Sequence, residues 1–316
     1  MRITATIIIT LLFISSAAAQ QDTGSGMDFL SISPSAFQLS LSEASSATLT
    51  GSSAIYSNPA LLAMEPMSSV EIDYTLWVAE VNHQFASANF LRENYSLGLG
   101  IYNSRSDGFE ARDGAGPSQG DFSIGYLSVA GAFAYKIDRF SVGVTAHYLR
   151  EEVFQYRANG YAVSAGAAAE FFEQRVRLGA VVQNLGEMEE LDGISTSLPT
   201  TFRLGGMANI VEVNTPGRND LPILFSLHTE WVHPLEDLPS SDYIDRDGGD
   251  DFIAFALSAD VADLFNIRGG YKAGPTERPL SFGLGLNIDP VTVNYAVVPF
   301  STGFGWVHSI GVQYYF

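Results

Sequence analysis

Leu280-Ser-Phe282-Gly-Leu284-Gly-Leu286-Asn-Ile288 puts an apolar side chain at every second position and Ser, Gly or Asn between them. Only an extended strand sorts such a pattern onto two faces, because its side chains alternate with a period of two. Tyr95-Ser-Leu97-Gly-Leu99-Gly-Ile101 and Phe140-Ser-Val142-Gly-Val144-Thr-Ala146-His-Tyr148 repeat it. Two surroundings satisfy the pattern: lipid on one side and a lumen on the other, or a soluble sandwich whose apolar face meets a core.

Composition favours lipid. Of 316 residues 46% are hydrophobic and 12% aromatic, yet only 16% are charged, where soluble chains carry about a quarter. Part of the outer surface therefore does not face water. With 35 acids, 16 bases and a net charge of −19, there is no basic stripe for nucleic-acid phosphates. The chain has no cysteine, which excludes disulfides, thiolate metal sites and a Cys nucleophile.

Residues 1–19 read as a secretory signal peptide. Arg2 supplies the positive end, Ile3 to Ile14 the apolar stretch, and Ser15-Ser-Ala-Ala-Ala19 the small-residue cleavage site. The stretch is too short to span a bilayer, and the remaining chain has no apolar run of the ~20 residues a membrane helix needs. An exported chain with an apolar exterior and no spanning helix is expected to be an antiparallel transmembrane β-barrel in a bacterial outer membrane.

Fourteen candidate strands fall near 69–78, 81–90, 95–103, 124–136, 140–150, 161–171, 176–184, 201–210, 223–233, 252–261, 265–272, 280–288, 291–298 and 305–316. The connections alternate between short (91–94, 137–139, 172–175, 262–264, 289–290) and long (104–123, 151–160, 185–200, 234–251), as outer-membrane barrels do between periplasmic and outer sides. Connection 211–222 breaks the rule on the short side, and 79–80 is a tight turn on the long side. The last strand puts Trp306, His308, Ile310, Val312, Tyr314 and Phe316 on one face. Its ten residues, tilted by about 45°, span roughly 23 Å, near the height of the apolar band. Phe316 is the expected assembly signal.

Residues 20–68 do not alternate. Gln20 to Gly26 is polar and expected to fray. Asn58-Pro59 starts a short helix, Asn capping and Pro at the first helical position. Fourteen strands enclose more space than wall side chains fill, so 20–68 is expected to enter the lumen as a partly helical plug, with 69–316 forming the barrel.

Several segments resemble one family: Phe29-Leu-Ser-Ile-Ser-Pro-Ser-Ala36, Gly51, Asn58-Pro59-Ala60, Arg177-Leu-Gly-Ala-Val-Val-Gln-Asn184-Leu-Gly186, Leu198-Pro-Thr-Thr-Phe-Arg203-Leu-Gly, Ile267-Arg268-Gly-Gly-Tyr271, Asn294-Tyr295-Ala and Gly311-Val-Gln-Tyr-Tyr-Phe316. They look like the PorV/PorQ outer-membrane proteins, and the length is closer to PorQ. The chain departs from that pattern at Phe37-Gln-Leu-Ser-Leu-Ser-Glu43. The resemblance implies a FadL-like barrel and a role in type IX secretion, with partners among secretion or attachment proteins and cargo C-terminal domains.

No catalytic motif emerges. The two lysines, Lys136 and Lys272, each follow Tyr, so no phosphate loop exists, and no G-x-S-x-G elbow or H-E-x-x-H pair opens a helix. His147 alternates with Thr145 and Ser141, hence is expected in the lumen as a polar wall residue and not as a catalytic base. No cofactor is implied. Acids cluster at Glu187, Glu189, Glu190 and Asp192, and again at Asp242, Asp245, Asp247 and Asp250. These are expected as solvated outer loops that face partners or lipopolysaccharide. Asp245-Arg-Asp247-Gly248 resembles a calcium-loop fragment but lacks the later bidentate Glu.

Two functions follow. One is a protein-binding component of type IX secretion and cargo attachment, to which small residues along the wall would add close packing against another barrel. The alternative is a FadL-like channel for uptake of hydrophobic solutes. No enzyme is expected.

Overall fold

The computed structural model describes residues 23–25, 27–110, 120–193, 195–214, 221–235 and 251–316. Residues 1–19, read as a signal peptide, lie outside these. Fourteen strands close into one barrel: β1 Ser69–Leu76, β2 Asn82–Arg92, β3 Tyr95–Glu110, β4 Asp121–Ile137, β5 Phe140–Val153, β6 Tyr156–Phe171, β7 Val176–Met188, β8 Thr201–Asn214, β9 Pro222–Pro234, β10 Phe252–Val261, β11 Phe265–Ala273, β12 Leu280–Ile288, β13 Val291–Pro299 and β14 Trp306–Tyr315. Each pairs antiparallel with its sequence neighbours, and β14 closes on β1 from His308↔Leu76 to Tyr315↔Ser69.

The alternation has its expected meaning. Leu97, Leu99 and Ile101 on β3, and Leu280, Phe282 and Leu284 on β12, stand exposed on the outer face, whereas Ser96 and Ser281 between them are buried inside. Trp306, Ile310, Val312, Tyr314 and Phe316 share the outer face of the last strand and its end. An apolar outside and a polar inside is the arrangement of a strand between lipid and lumen. The tight turns after β2, β4 and β12 (93–94, 138–139, 289–290) lie at the end that carries Phe316. The longest connections, 111–120, 189–200 and 235–251, lie at the other.

Four expectations need correction. Connection 151–160 is a two-residue turn, Phe154-Gln155, because β5 and β6 pair as far as Val153↔Tyr156. Strands β3 and β4 likewise run on to Glu110↔Asp121, so the loop is 111–120 and not 104–123. Above the lipid the outer face has no reason to stay apolar, so the alternation stops while backbone pairing continues. Connection 211–222 shrinks to 215–221 as β8 and β9 pair down to Asn214↔Pro222. Thr23–Ser25, expected to fray, forms a short parallel pair with Ser195–Ser197.

Residues 27–68 fill the barrel as a plug. They form two short α-helical turns, Ala36–Ser40 (α1) and Ala54–Ser57 (α2), and 3-10 turns at Asp28–Ser31, Gly51–Ser53 and Pro59–Ala63. The Asn58-Pro59 start is realised as a 3-10 turn: the Asn58 side chain accepts the Ala60 N–H at 3.1 Å. Most plug residues are buried, Ala36, Ile55, Leu61 and Leu62 completely or nearly so.

Candidate functional site

The lumen and its plug are the candidate site, and glycines shape the contact. A Cβ at Gly143 on β5 would overlap the Pro59 backbone, one at Gly166 on β6 the Asn58 side chain, and one at Gly179 on β7 the Ser46 carbonyl. Gly270 and Gly283 on β11 and β12 face Leu41, Ser42 and Ser40 as closely. The plug backbone thus runs directly against the wall, which only residues without a side chain permit. The inward glycines among the small residues noted in the sequence serve this contact.

Hydrogen bonds fix the plug along the same path. Asn58 Nδ2 donates to the Ser46 carbonyl at 2.7 Å and the Ala167 carbonyl at 3.3 Å. Ser141 Oγ donates to the Ala60 carbonyl at 2.7 Å, and Thr145 Oγ1 to that of Ile55 at 3.1 Å. On β1, Glu71 Oε1 accepts from Ser35 Oγ at 2.7 Å and Asp73 Oδ1 from the Ala36 N–H at 2.8 Å.

Charges add a second set of anchors. Glu43, 2% exposed, pairs with Lys272 at 2.7 Å and Arg278 at 2.8 Å. Burial alone would raise its pKa, but Arg278, Lys272 and Arg203 hold the carboxyl well below the usual carboxylate range. From the wall, Glu230 accepts the N–H groups of Ser45 and Ser46 at 2.7 and 2.8 Å and pairs with Arg203 at 2.6 Å. Arg177 pairs with Glu170 at 3.1 Å and reaches the Ala47 carbonyl at 3.3 Å. The space left beside Glu43, between Leu39, Lys272 and Val298, is only about 10 Å³, no more than one water needs.

Towards the end opposite Phe316 the lining turns apolar. Phe29 stacks on Tyr126 at 5.8 Å and tilts against Tyr102 at 4.9 Å, while Tyr56 meets Phe85 and Tyr102 edge-on. Leu149, Met188 and Leu198 complete this cluster. Leu198 arrives from connection 189–200, which folds inward and is held by Thr200 Oγ1 donating to the Asn184 carbonyl at 3.0 Å. Above it, Phe122 and Ile124 continue the inner face of β4 beyond Tyr126. Phe122 carries Phe109 at 5.4 Å on one side and Phe154 at 5.5 Å on the other. Phe154 has φ +56°, a left-handed conformation that a bulky residue rarely adopts.

The sequence-derived residues fall into several places. His147 faces the lumen, between Ser128 Oγ at 3.3 Å and Ser164 Oγ at 3.4 Å and edge-on to Tyr56, without a carboxylate among its hydrogen-bond partners. Glu187 belongs to β7 and not to the loop. Glu189 is drawn onto the β5–β6 hairpin, accepting from the Asn159 backbone and side chain at 3.1 and 3.2 Å. Glu190 and Asp192 follow in the connection. Asp242, Asp245, Asp247 and Asp250 lie outside the described residues. Phe316 donates its N–H to the Ser68 carbonyl at 3.0 Å, and its ring is flanked by Tyr314 and Phe90. The charge-pairing roles of Glu43, Glu230 and Arg203 inside the lumen escaped the sequence reading. The available signal was Lys272 and Arg268 at inward-facing positions of β11, cations that need partners inside.

The fold and the filled lumen define a plugged fourteen-stranded barrel of the outer-membrane type. Its structure is similar to that of the CymD monoaromatic hydrocarbon channel, with a TM-score of 0.54 and 13% identity over 93% of this chain and 99% of that one. The toluene transporter TodX of P. putida gives 0.51 and 11% over 94% and 99%. A FadL homologue of Pseudomonas aeruginosa gives 0.50 and 12% over 89% and 98%. No protein-family profile and no curated protein sequence matches the chain.

Proposed function

We infer that the chain is an outer-membrane channel for small hydrophobic solutes, closed by its plug in the conformation described. The observation that carries this reading is the aromatic line that descends the inner face from Phe109, Phe122 and Phe154 through Tyr126 to Phe29 and Tyr102. Apolar rings over an otherwise polar lumen give an apolar solute a favourable surface and give ions none. The likeness in fold to a monoaromatic hydrocarbon channel and a toluene transporter supports the same reading.

The chain lacks cysteine, which offers a direct test. Ser42 Oγ and Ser281 Oγ lie 2.8 Å apart across the plug and wall, so Ser42→Cys with Ser281→Cys supplies a reversible lock. Liposomes carrying the reduced double variant are expected to take up toluene saturably. Oxidation should stop the uptake and reduction restore it. Uptake no faster than in empty liposomes sinks the channel reading.

A second reading, a protein-binding component of type IX secretion or cargo attachment, is favoured by the tightness of the plug, since a barrel held shut works through its surface. Co-purification of secretion or attachment proteins, or of a cargo C-terminal domain, together with absent solute uptake would select it.

A further inference from the structure

Connection 211–222, too long for its side of the barrel, is largely a ribbon. Strand β8 pairs with β7 only as far as Ala208↔Val176, where the Asn209 N–H still reaches the Arg175 carbonyl at 2.8 Å. Its pairing with β9 runs on past a bulge at Asn209/Val211 to Asn214↔Pro222. Residues 210–214 therefore have β9 on one side and, among the described residues, no strand on the other. The open edge is roughly 16 Å long and lies at the end that carries Phe316.

The ribbon has also left the apolar belt. Phe225, the outward ring of β9 nearest this end, lies opposite Val211, and outward rings mark the membrane boundary. Beyond it both faces are open: Val211 and Val213 are 46% and 44% exposed on one, while Glu212 and Asn214 are exposed on the other. An unpaired edge with β-branched residues in water is a surface that sheets normally cover. Beside it stands Phe172, at 77% the most exposed large apolar side chain of the described residues. It opens the turn 172–175, in which Phe172, Glu173 and Gln174 have φ of +53°, +55° and +68°. Three successive left-handed residues, none of them Gly, form a backbone seldom kept without a role. The turn presents its ring where β7 stops and the open edge begins.

We propose that this edge takes up an extended segment of a periplasmic protein as an added strand, with a basic side chain against Glu212 and an apolar one against Phe172. The backbone N–H and C=O groups of an open edge are matched by another extended chain, which lipid cannot supply. A strand antiparallel to β8 lies on the line of β7 below Val176, so its C-terminal end meets Phe172. Charge separates a foreign strand from a second copy. Two copies in full antiparallel overlap would set Glu212 against Glu212, which like charge opposes, whereas Lys or Arg at that position gains an opposite-charge pair. Glu173 and Arg175 on the turn, both exposed, offset each other and leave Glu212 as the net charge of the edge. Such docking is independent of what the lumen carries. It rests on an outer-membrane placement with the Phe316 end in the periplasm.

The test uses the full-length barrel in detergent and three fluorescent peptides of alternating Val and Thr. One has a central Lys, one has Glu in its place, and the third is the Lys peptide with its backbone amides N-methylated. Anisotropy is expected to show binding of the Lys peptide, weaker binding of the Glu peptide and none of the N-methylated one. Hydrogen exchange at 210–214 should slow when the Lys peptide is added. Glu212→Lys should reverse the order of the first two peptides, and Phe172→Ala should weaken the Lys peptide. An unchanged heat-modified mobility on gels verifies that each variant is a closed barrel. No binding of the Lys peptide by the wild type, equal binding of the N-methylated peptide, or the same Lys preference in Glu212→Lys overturns the proposal. So does slow exchange at 210–214 before any peptide is added, with a second copy as the cover where the barrel sediments as a dimer. Labelling of Glu212→Cys by an impermeant maleimide on intact cells overturns it too, through the placement and not through the edge.

Discussion

Glu43 and Lys272, 229 positions apart in the chain, meet at 2.7 Å inside the barrel, with Arg278 on the other carboxylate oxygen. A carboxylate that deep is tolerable only while both cations hold it, and neither cation is tolerable without the acid. Glu43→Gln is therefore expected to cost about 3–5 kcal/mol in plug docking. Hydrogen exchange should report it as faster exchange across 36–50, with the wall strands unchanged.

The glycine contacts give a paired prediction. Gly143→Ala forces a methyl group into the Pro59 backbone and should cost about 1–3 kcal/mol. Gly131→Ala, on the outer face of β4 with nothing within 4 Å, should be near neutral. Thermal unfolding of the two variants in one detergent checks the difference. Equal losses would mean that strand propensity, and not plug contact, governs these positions.

Plug docking should also depend on pH through Glu65, which accepts the N–H groups of Thr50 and Gly51 at 2.9 and 2.7 Å. Burial pushes its pKa up to about 7, although those N–H groups and Arg177 oppose the rise. The docked plug then binds more protons than the released one. This contribution is complete below about 4.5, the ordinary value, and is lost as pH rises through about 7. Protease protection near Thr50 is expected to fall between pH 5 and 8, and the fall should vanish in Glu65→Gln.

Orientation is open to labelling. Gln155, at the tip of the β5–β6 hairpin, should react with an impermeant maleimide on intact cells as Gln155→Cys, while Asp289→Cys should react only after the outer membrane is opened. The reverse result would invert the barrel.

Where strands touch lipid, the sequence is explicit: Leu97-Gly-Leu99-Gly-Ile101 must alternate because one face meets lipid and the other the plug. Strand ends above the lipid were not legible, since Arg105 and Glu152 obey no apolar period although their backbones pair. The plug was visible in outline from Asn58-Pro59 and the lack of alternation before residue 69. Its anchors were not, because Glu43 with Lys272, or Ser45 with Glu230, are neighbours only after the barrel has closed. The Glu187–Asp192 acids were legible as a cluster, but that β7 pairs as far as Met188 depends on a bulge at Val163/Ala165 that no local pattern announces.

The seam between β14 and β1 has a consequence for assembly. Gln313 on the last strand donates to the Thr50 carbonyl and to Ser69 Oγ, both at 3.3 Å, while Asp73 on the first strand packs on Gly311 and holds the Ala36 N–H. The two strands that close the barrel are thus joined through the plug segment that precedes them in sequence. A cylinder that closed empty would lack these bonds at its own joint, and one that closed around a misplaced plug would set Asp73 and Gln313 against the wrong atoms. A wall closed on its proper contents thus completes at its own joint the hydrogen bonds that any other filling would leave unmade.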